Sequence, residues 1–287
     1  MTLWLIYLNL ILKKEIKLEK FCIEIEPKQV AETIKYGVKK IIEQLNLDLS
    51  LSIYNTIETP ASLSYVKGKI KDCESVGIKV NYIGAESIQD GKHLAELIKA
   101  DNSTGIIVQK PLREDISEED YLSAIKDSQD VDGAKPLSDF VPATPQGIMD
   151  WLWLNSINLD GKDICIIGRS EIVGMPLARM MTENDATVTL CHSKTKNLKE
   201  KVQNCDILVV AIGNPNIIKP EWLEDGKPRI VIDVGINRVD GELVGDVPSY
   251  KVPEGGYCTP VPGGVGLLTR AELIYNIVST YSFTESV

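Results

Sequence analysis

The sequence predicts an α/β fold in two lobes, each built on a parallel sheet. Three observations carry this. Strand-like and helical apolar patterns alternate along most of the chain, which implies parallel strands joined by helices. A turn-rich segment, Asp130 to Pro145, interrupts the alternation and reads as a hinge. Beyond it a short apolar run, Ile164 to Ile167, passes through Gly168-Arg169-Ser170-Glu171-Ile172-Val173-Gly174-Met175-Pro176 into a helical pattern, Leu177 to Met181. A buried strand, a glycine turn and a helix start form a phosphate cradle, because backbone N–H groups and the positive end of the helix dipole face the anion.

The elements follow in order. Val30, Ile34, Val38, Ile41, Ile42 and Leu45 recur at helical spacing, and Leu47, Leu49, Leu51 and Ile53 alternate as in a strand. Thr59 before Pro60 predicts a helix start, since Thr caps and Pro suits the first helical position; the helix ends near Gly77. A strand over 78–83, a helix over 86–100, a strand over 105–109 and a helix over 117–125 complete the first unit. The second opens with a helix over 146–154 and continues with strands near Ile164, Thr187, Ile207 and Ile230. Residues 237–246 read as a hairpin turning at Asp240-Gly241.

The 287 residues allow two modest domains, and 44% apolar with 25% charged content is that of a soluble globular protein. A formal net charge of −10 argues against nucleic acid as a partner, so an anionic ligand must be met by local basic residues. Six scattered cysteines without C-x-x-C spacing read as buried reduced thiols of a cytosolic protein, and with only two histidines no metal site is expected. The apolar Met1 to Leu12 stretch is too short to cross a bilayer and lacks signal-peptide features; it reads as an extension packed on the protein or a partner.

Several residues invite a chemical reading. The strand 186–191 ends at His192-Ser193, where an NAD-binding fold would carry an acid for the ribose hydroxyls. Here Ser193 and, in the glycine turn, Arg169 suit a 2′-phosphate instead, which points to a dinucleotide site that prefers NADP. Ser62, Tyr65 and Lys69 are three and four apart and share one helical face. Either Tyr65 and Lys69 form an acid/base unit, a buried lysine losing its proton more easily, or the helix is a solvated one carrying Lys67, Lys69 and Lys71. Gln109 ends a strand, where sites form in open α/β sheets. Asp132 lies in an Asp-rich turn, whose acids commonly cap the local backbone. Two prolines and three glycines in Thr259 to Gly266 fix a loop that can approach a flat ligand.

Taken together, these pieces resemble the bifunctional methylenetetrahydrofolate dehydrogenase/methenyltetrahydrofolate cyclohydrolase family. The matches are Thr59-Pro60-Ala61-Ser62 with Tyr65-Val66 and Lys69, Gly105 to Gln109, Asp130 to Gly133, Thr144 to Gly147, Gly168 to Pro176, His192 to Thr195, Asp233 to Arg238, Leu243 to Val247 and Thr259 to Gly266, in family order over about residues 23 to 287. The resemblance implies a catalytic lobe over 1–142, whose residues 1–20 have no family counterpart, a Rossmann-like NADP lobe over 143–267 with a folate cleft between the two, and a last helix, 268–287, returning to the first lobe. It implies Lys69 as the catalytic lysine, Tyr65 as its partner and Gln109 as the amide that holds it. Asp132 would grip the amino-pyrimidine edge of the pterin, with Ser62, Pro262 and Gly263 also on the folate side. Thr144, Gly168, Arg169, Ser170, Ile172, Ser193, Ile236 and Thr269 would hold NADP. It further implies tetrahydrofolate one-carbon derivatives as substrates and a cytoplasmic homodimer joined through the second lobe.

The chain departs from the family pattern at Asn55 to Glu58, at Lys110 in place of an apolar residue, at Ala143, and at Leu267-Leu268. A cleft-facing Lys110 would repel a cationic intermediate; one that snorkels to water would be neutral to function. A dehydrogenase with weak or absent cyclohydrolase activity is therefore one rival reading, and a non-catalytic folate or dinucleotide-binding module is another.

Overall fold

The computed structural model describes residues 23–136, 138–215, 217–223, 228–248 and 256–284, so the expected N-terminal extension lies outside the described residues. In the first lobe α1 (Pro27–Leu45) leads to β1 (Ser50–Asn55), α2 (Pro60–Val76), β2 (Lys79–Ile83), α3 (Gly91–Ala100), β3 (Gly105–Gln109) and the short α4 (Glu118–Leu122). The second lobe has α5 (Ala143–Leu154), β4 (Asp163–Ile167), α6 (Gly174–Glu183), β5 (Thr187–Cys191), α7 (Leu198–Asn204), β6 (Ile207–Val210) and β7 (Ile230–Asp233). After these come the hairpin β8 (Asn237–Val239) and β9 (Glu242–Val244), then β10 (Tyr257–Cys258) and the closing helix α8 (Val265–Thr284). Strand order is β2-β1-β3 in one sheet and β10-β7-β6-β4-β5 in the other, all parallel. Parallel pairing follows from crossover connections, which carry an α-helix between β1 and β2, β2 and β3, β4 and β5, and β5 and β6.

Local chemistry sets the boundaries, and several differ from the sequence pattern. Asn46 takes the left-handed conformation that closes α1, and Leu47 N–H donates to Ile42 O at 3.1 Å. Leu47 and Leu49 therefore belong to the helix exit, and β1 starts at Ser50. From Leu51 to Asn55 every residue of β1 is buried, because helices cover both faces; the alternation seen in sequence was not that of a half-exposed strand. The helix expected from Glu86 begins at Gly91, where the Asp90 carboxylate caps it by accepting from His93 N–H at 2.8 Å. The helix expected over 117–125 spans only Glu118–Leu122, and α5 starts at Ala143, which shortens the hinge by its last three residues. Around α2 the signals hold: Thr59 Oγ1 accepts from Ser62 N–H at 3.1 Å, and Gly77 closes the helix at φ 95°. The hairpin turns at Asp240 and Gly241, both with positive φ, as a tight reversal requires.

One apolar core runs through both lobes. It joins Ile34, Ile53 and Ile107 of the first to Ile164, Ile207 and Ile232 of the second through Ile148 and Trp151 on α5 and Leu268, Ile274 and Ile277 on α8. Helix α8 packs along α1, α2 and α5, which returns the chain's last helix to the first lobe. Asn276 on α8 also holds the connection between lobes, donating to Val131 O at 2.9 Å and Val141 O at 3.2 Å. At the other end of α5, Trp151 Nε1 donates to Ile25 O at 2.9 Å, and Asn155 Oδ1 accepts from Glu24 and Ile25 N–H at 2.9 Å each.

Between α5 and α8 lies a buried acid pair. Glu272 is fully buried beside Asp150, which accepts from Gln146 Nε2 at 2.7 Å. Among the described residues no N–H or O–H donor reaches the Glu272 carboxylate, so a proton carried by one acid is the bond that joins the two. Burial raises both above the usual carboxylate range, and Asp150's charge raises Glu272 further. The folded state thus binds more protons than the unfolded chain, and stability falls as pH rises through and beyond the ordinary carboxylate range. Glu272→Gln removes this titration. In urea unfolding the variant should gain on the wild type by about 1–3 kcal/mol between about pH 5 and about pH 8. Parallel pH dependence in the two proteins would contradict the shared proton.

Candidate active site

The capped start of α2 decides which of its residues face the sheet. Ser62, Val66, Lys69, Asp72, Cys73 and Val76 form the buried face, with Tyr65 half-buried beside them. Lys69 is 5% exposed, so the solvated-helix reading of this lysine does not hold. Its Nζ donates to Gln109 Oε1 at 3.1 Å, and Gln109 Nε2 donates to Lys110 O at 2.7 Å, which fixes the acceptor end of the amide toward the amine. The register Asn55↔Gln109 between β1 and β3 places that amide at the sheet's carboxyl end. The Tyr65 ring centre lies 5.3 Å from the amine.

Burial is the main cause of the lowered Lys69 pKa; the negative charge of Asp132 acts the other way, and the guanidinium of Arg270 adds to the lowering. Burial, with the Asp132 charge second, pushes the Tyr65 phenol up to about 12, so it stays protonated as a donor. The local-cap reading of the Asp-rich turn applies to Asp130, whose carboxylate accepts from Ala134 and Lys135 N–H at 3.0 and 2.9 Å. Among the described residues none donates to the Asp132 carboxylate, which lines a small cavity with Val108, Lys110 and Tyr121 and, from the glycine turn of the second lobe, Ile172. Asp132 and Ile172 are thus brought to one cleft. Ser62 is employed differently: its hydroxyl accepts from Thr59 N–H at 3.0 Å and donates to Ile57 O at 2.8 Å, inside the helix cap.

The residues that depart from the family pattern mostly build scaffold. Asn55 Nδ2 donates to Tyr82 OH at 3.1 Å, Thr56 Oγ1 accepts from Arg113 N–H at 3.0 Å, and Glu58 accepts from Tyr82 OH at 2.6 Å. Ala143 is buried, and Leu268 packs on Gly147. Lys110 is among the residues that line the cavity, and its ammonium is paired with Glu118 on α4.

On the second lobe the glycine turn is sterically compulsory. Gly168 has φ 121°, and a Cβ there would run into Ala211 O; a Cβ on Gly174 would run into Gly168 O. No side chain caps the start of α6; Met175 N–H donates to Ser170 O at 3.0 Å and Pro176 has no N–H, which leaves Gly174 N–H as the first-turn donor that could meet an anion. Arg169, Ser170 and Ser193 are exposed around this turn and the end of β5. Thr144 and Thr269 share a hydrogen bond of 2.9 Å between α5 and α8, and Ile236 sits against Gly266 at the start of α8. Pro262 is exposed, while Gly263 at φ 108° has open space where a Cβ would be, leaving its backbone accessible.

Sequence reasoning missed the acids that shape these loops. Asp246 accepts from Ile212, Gly213 and Asn214 N–H at 2.7–2.9 Å and from Asn237 Nδ2 at 2.9 Å. Asp233 accepts from Gly235, Asp246 and Val247 N–H at 2.9–3.0 Å, and burial pushes its carboxyl up to about 6. Gly235 and Gly245 leave room for these two carboxylates. An acid next to glycine in both Asp233-Val234-Gly235 and Gly245-Asp246 was the available signal. Asp72 and Arg270, which pair beside Lys69, carried none.

Two family models match the chain. The tetrahydrofolate dehydrogenase/cyclohydrolase catalytic domain matches residues 25–132, and the NAD(P)-binding domain of the same name matches residues 142–285. The bifunctional protein FolD of Bacillus pumilus is 39% identical over 274 residues, covering 89% of this chain and 96% of its own. The crystal structure of the bifunctional enzyme FolD, methylenetetrahydrofolate dehydrogenase/cyclohydrolase, from Campylobacter jejuni superposes with a TM-score of 0.81 at 38% identity, over 90% of this chain and 98% of that one. The Trypanosoma brucei enzyme complexed with NADP cofactor and inhibitor gives a TM-score of 0.81 at 27% identity, over 92% of this chain and 98% of that one.

The electrostatics around Lys69 have a direct spectroscopic test. Carbon-13 NMR of the Lys69 ε-carbon should titrate below an ordinary lysine, whose pKa is about 10.4. Asp132→Asn removes the charge that favours the ammonium, so the midpoint should fall further. A midpoint that rises in the variant would contradict this placement of Asp132.

Proposed function

The chain belongs to the tetrahydrofolate dehydrogenase/cyclohydrolase family, and on that premise we propose that it oxidises 5,10-methylenetetrahydrofolate to 5,10-methenyltetrahydrofolate with NADP and then hydrolyses this to 10-formyltetrahydrofolate. The observation that carries the proposal is the buried Lys69 amine facing the Gln109 amide beside Tyr65, within reach of the Asp132 charge.

NADP, when bound, supplies the hydride acceptor. The glycine turn, the uncapped start of α6 and the exposed Arg169 and Ser193 fit a phosphorylated dinucleotide. Gly168 and Ser170 would hold its phosphates, Arg169 and Ser193 the 2′-phosphate, and Thr144, Ile172, Ile236 and Thr269 the remainder. In the first reaction the folate nitrogens stabilise the cation that forms, so the chain mainly binds and aligns. Asp132 grips the amino-pyrimidine edge, Pro262 and Gly263 line the pterin's path, and Ser62 contributes by fixing the start of α2. In the second reaction water adds to the methenyl carbon and the bond from that carbon to N5 breaks. Lys69 takes a proton from the water and returns it to N5, and the second water proton leaves to solvent as the added hydroxyl becomes the formyl carbonyl; the first transfer needs a neutral amine. The ion pair with Glu118 offsets the Lys110 charge, which weakens the case for a dehydrogenase lacking the second activity.

The division of labour follows as 1–142 for catalysis, 143–267 for NADP and 268–287 as the returning helix. Among the described residues no helix is long and apolar enough to cross a membrane, and a cytoplasmic setting suits the free thiols. Among the described residues β5 has no strand on its outer edge, which supports a homodimer through the second lobe.

An absorbance assay that follows methenyl formation and then its decay tests the whole reading; formation without decay would leave a dehydrogenase alone. Lys69→Met should lower cyclohydrolase activity by at least about 100-fold, the scale of a general acid/base, with a smaller loss of dehydrogenase activity. Hydrolysis at the wild-type rate would remove Lys69 from this role. Replacing both Arg169 and Ser193 by Ala should cost NADP about 2–4 kcal/mol in catalytic efficiency and leave NAD little changed, since hydrogen bonds to charged groups contribute about 1.5–3 kcal/mol each. Equal wild-type efficiency with NAD and NADP would overturn the assignment.

A further inference from the structure

The guanidinium of Arg270 lies where a side chain on Gly68 would be: a Cβ built on Gly68 would overlap Nη1 and Cζ of Arg270. Gly68 is the immediate neighbour of Lys69 on α2, and Arg270 comes from α8. One turn further along α2, the buried Asp72 carboxylate lies 2.8 Å from Arg270 Nε on one oxygen and 3.0 Å from Lys35 Nζ of α1 on the other. The Arg270 contact is a charge pairing rather than an aligned hydrogen bond.

We propose that Arg270 is a positioning residue for the proton-transfer step, lodged against Gly68 and paired to Asp72 so that α8 both seats the catalytic helix and sets the protonation state of Lys69. The proposal rests on the role of Lys69 in the reading above.

Counting charge shows why. Asp72, three residues from Lys69, would by itself favour the ammonium. Two cations meet that one carboxylate, so Asp72, Arg270 and Lys35 together carry one net positive charge. The other groups that face Lys69 are Tyr65 and Cys73 of its own helix, Gln109 of β3 and Asp132 of the inter-lobe connection. Tyr65 is neutral, as is Cys73, whose thiol burial pushes up to about 12; Gln109 does not titrate, and the Asp132 charge favours the ammonium. Arg270 opposes them. A guanidinium suits this task because it keeps its charge at every pH at which the enzyme works, whereas a lysine paired to Asp72 would keep it near neutral pH and lose it as pH rises further. Its neighbour Thr269 bonds to Thr144 on the other lobe, so adjacent residues of α8 reach both sides of the cleft.

Three variants test this. Arg270→Met keeps length and removes charge, Arg270→Lys keeps charge, and Gly68→Ala displaces the guanidinium without altering the charge count. In Arg270→Met the Lys69 ε-carbon midpoint should rise by about one unit, which leaves about tenfold less neutral amine at pH 7. The rising limb of the cyclohydrolase pH profile should move up equally, with activity recovered at high pH and with a smaller loss in dehydrogenase kcat. Gly68→Ala should shift both readouts the same way, and Arg270→Lys should restore them near neutral pH. An unchanged midpoint in folded Arg270→Met or Gly68→Ala would overturn the proposal. So would an equal shift in Arg270→Lys and Arg270→Met, which would mark a packing role. The NMR midpoint reads out even if the wild type lacks cyclohydrolase activity, so failure of the functional reading and failure of this inference are separable.

Discussion

A lysine amine placed in a dry site imposes conditions on everything around it. Burying an ammonium is costly, and the chain meets that cost by lowering the amine's affinity for its proton and by giving it one neutral acceptor, Gln109 Oε1 at 3.1 Å. The acceptor is useful only if β3 ends beside α2. That depends on the pairing of β3 with β1, which puts Gln109 opposite Asn55, and on the Thr59 cap, which starts α2 in the right phase. A one-residue slip in either would turn Lys69 toward water or aim Gln109 away from it.

Helix α8 ties these conditions to the second lobe. Its residues face three ways: Arg270 toward α2, Thr269 and Glu272 toward α5, and Asn276 toward the connection between lobes. Since the apolar core is continuous through it, relative movement of the lobes must repack α8 rather than merely open a surface cleft. This helix has no cap signature in the sequence and is apolar over most of its length, so its position is fixed by burial rather than by local preference.

What was legible in the sequence was mainly what local chemistry decides. The Thr59-Pro60 start, the Gly77 stop, the Asp240-Gly241 turn and the obligatory glycines at 168 and 174 each follow from backbone conformation, and each stands in the structure as read. Spacing also grouped Ser62, Tyr65 and Lys69 on one face. It did not tell whether that face was wet, because this depends on the sheet and on α8, which lies some 200 residues further along the chain. The same non-locality hid Arg270 and Asp72. Neither residue is unusual where it stands, and only the close approach of α8 to Gly68 makes them partners. Strand edges failed for a related reason: a strand buried on both faces loses the alternation that would mark its register.

On the proposed reading, one electrostatic requirement serves two ends. The methenyl intermediate is a cation formed near Lys69. A protonated lysine about 6 Å away would repel it by roughly 3 kcal/mol at an effective dielectric near 20, before screening. Neutral Lys69 escapes that repulsion and is also the form able to accept a proton from water. The acid at Asp132 attracts the cation, yet it pulls Lys69 toward the ammonium. These two effects of Asp132 conflict, and the positive charge of Arg270 opposes the second of them. Arg270 sits against the backbone of α2 at Gly68, next to Lys69, and is not among the residues that line the cavity with Asp132. Lys110 would be the harmful counterpart, a positive charge in the lining itself, and its pairing with Glu118 is what the same requirement demands of it.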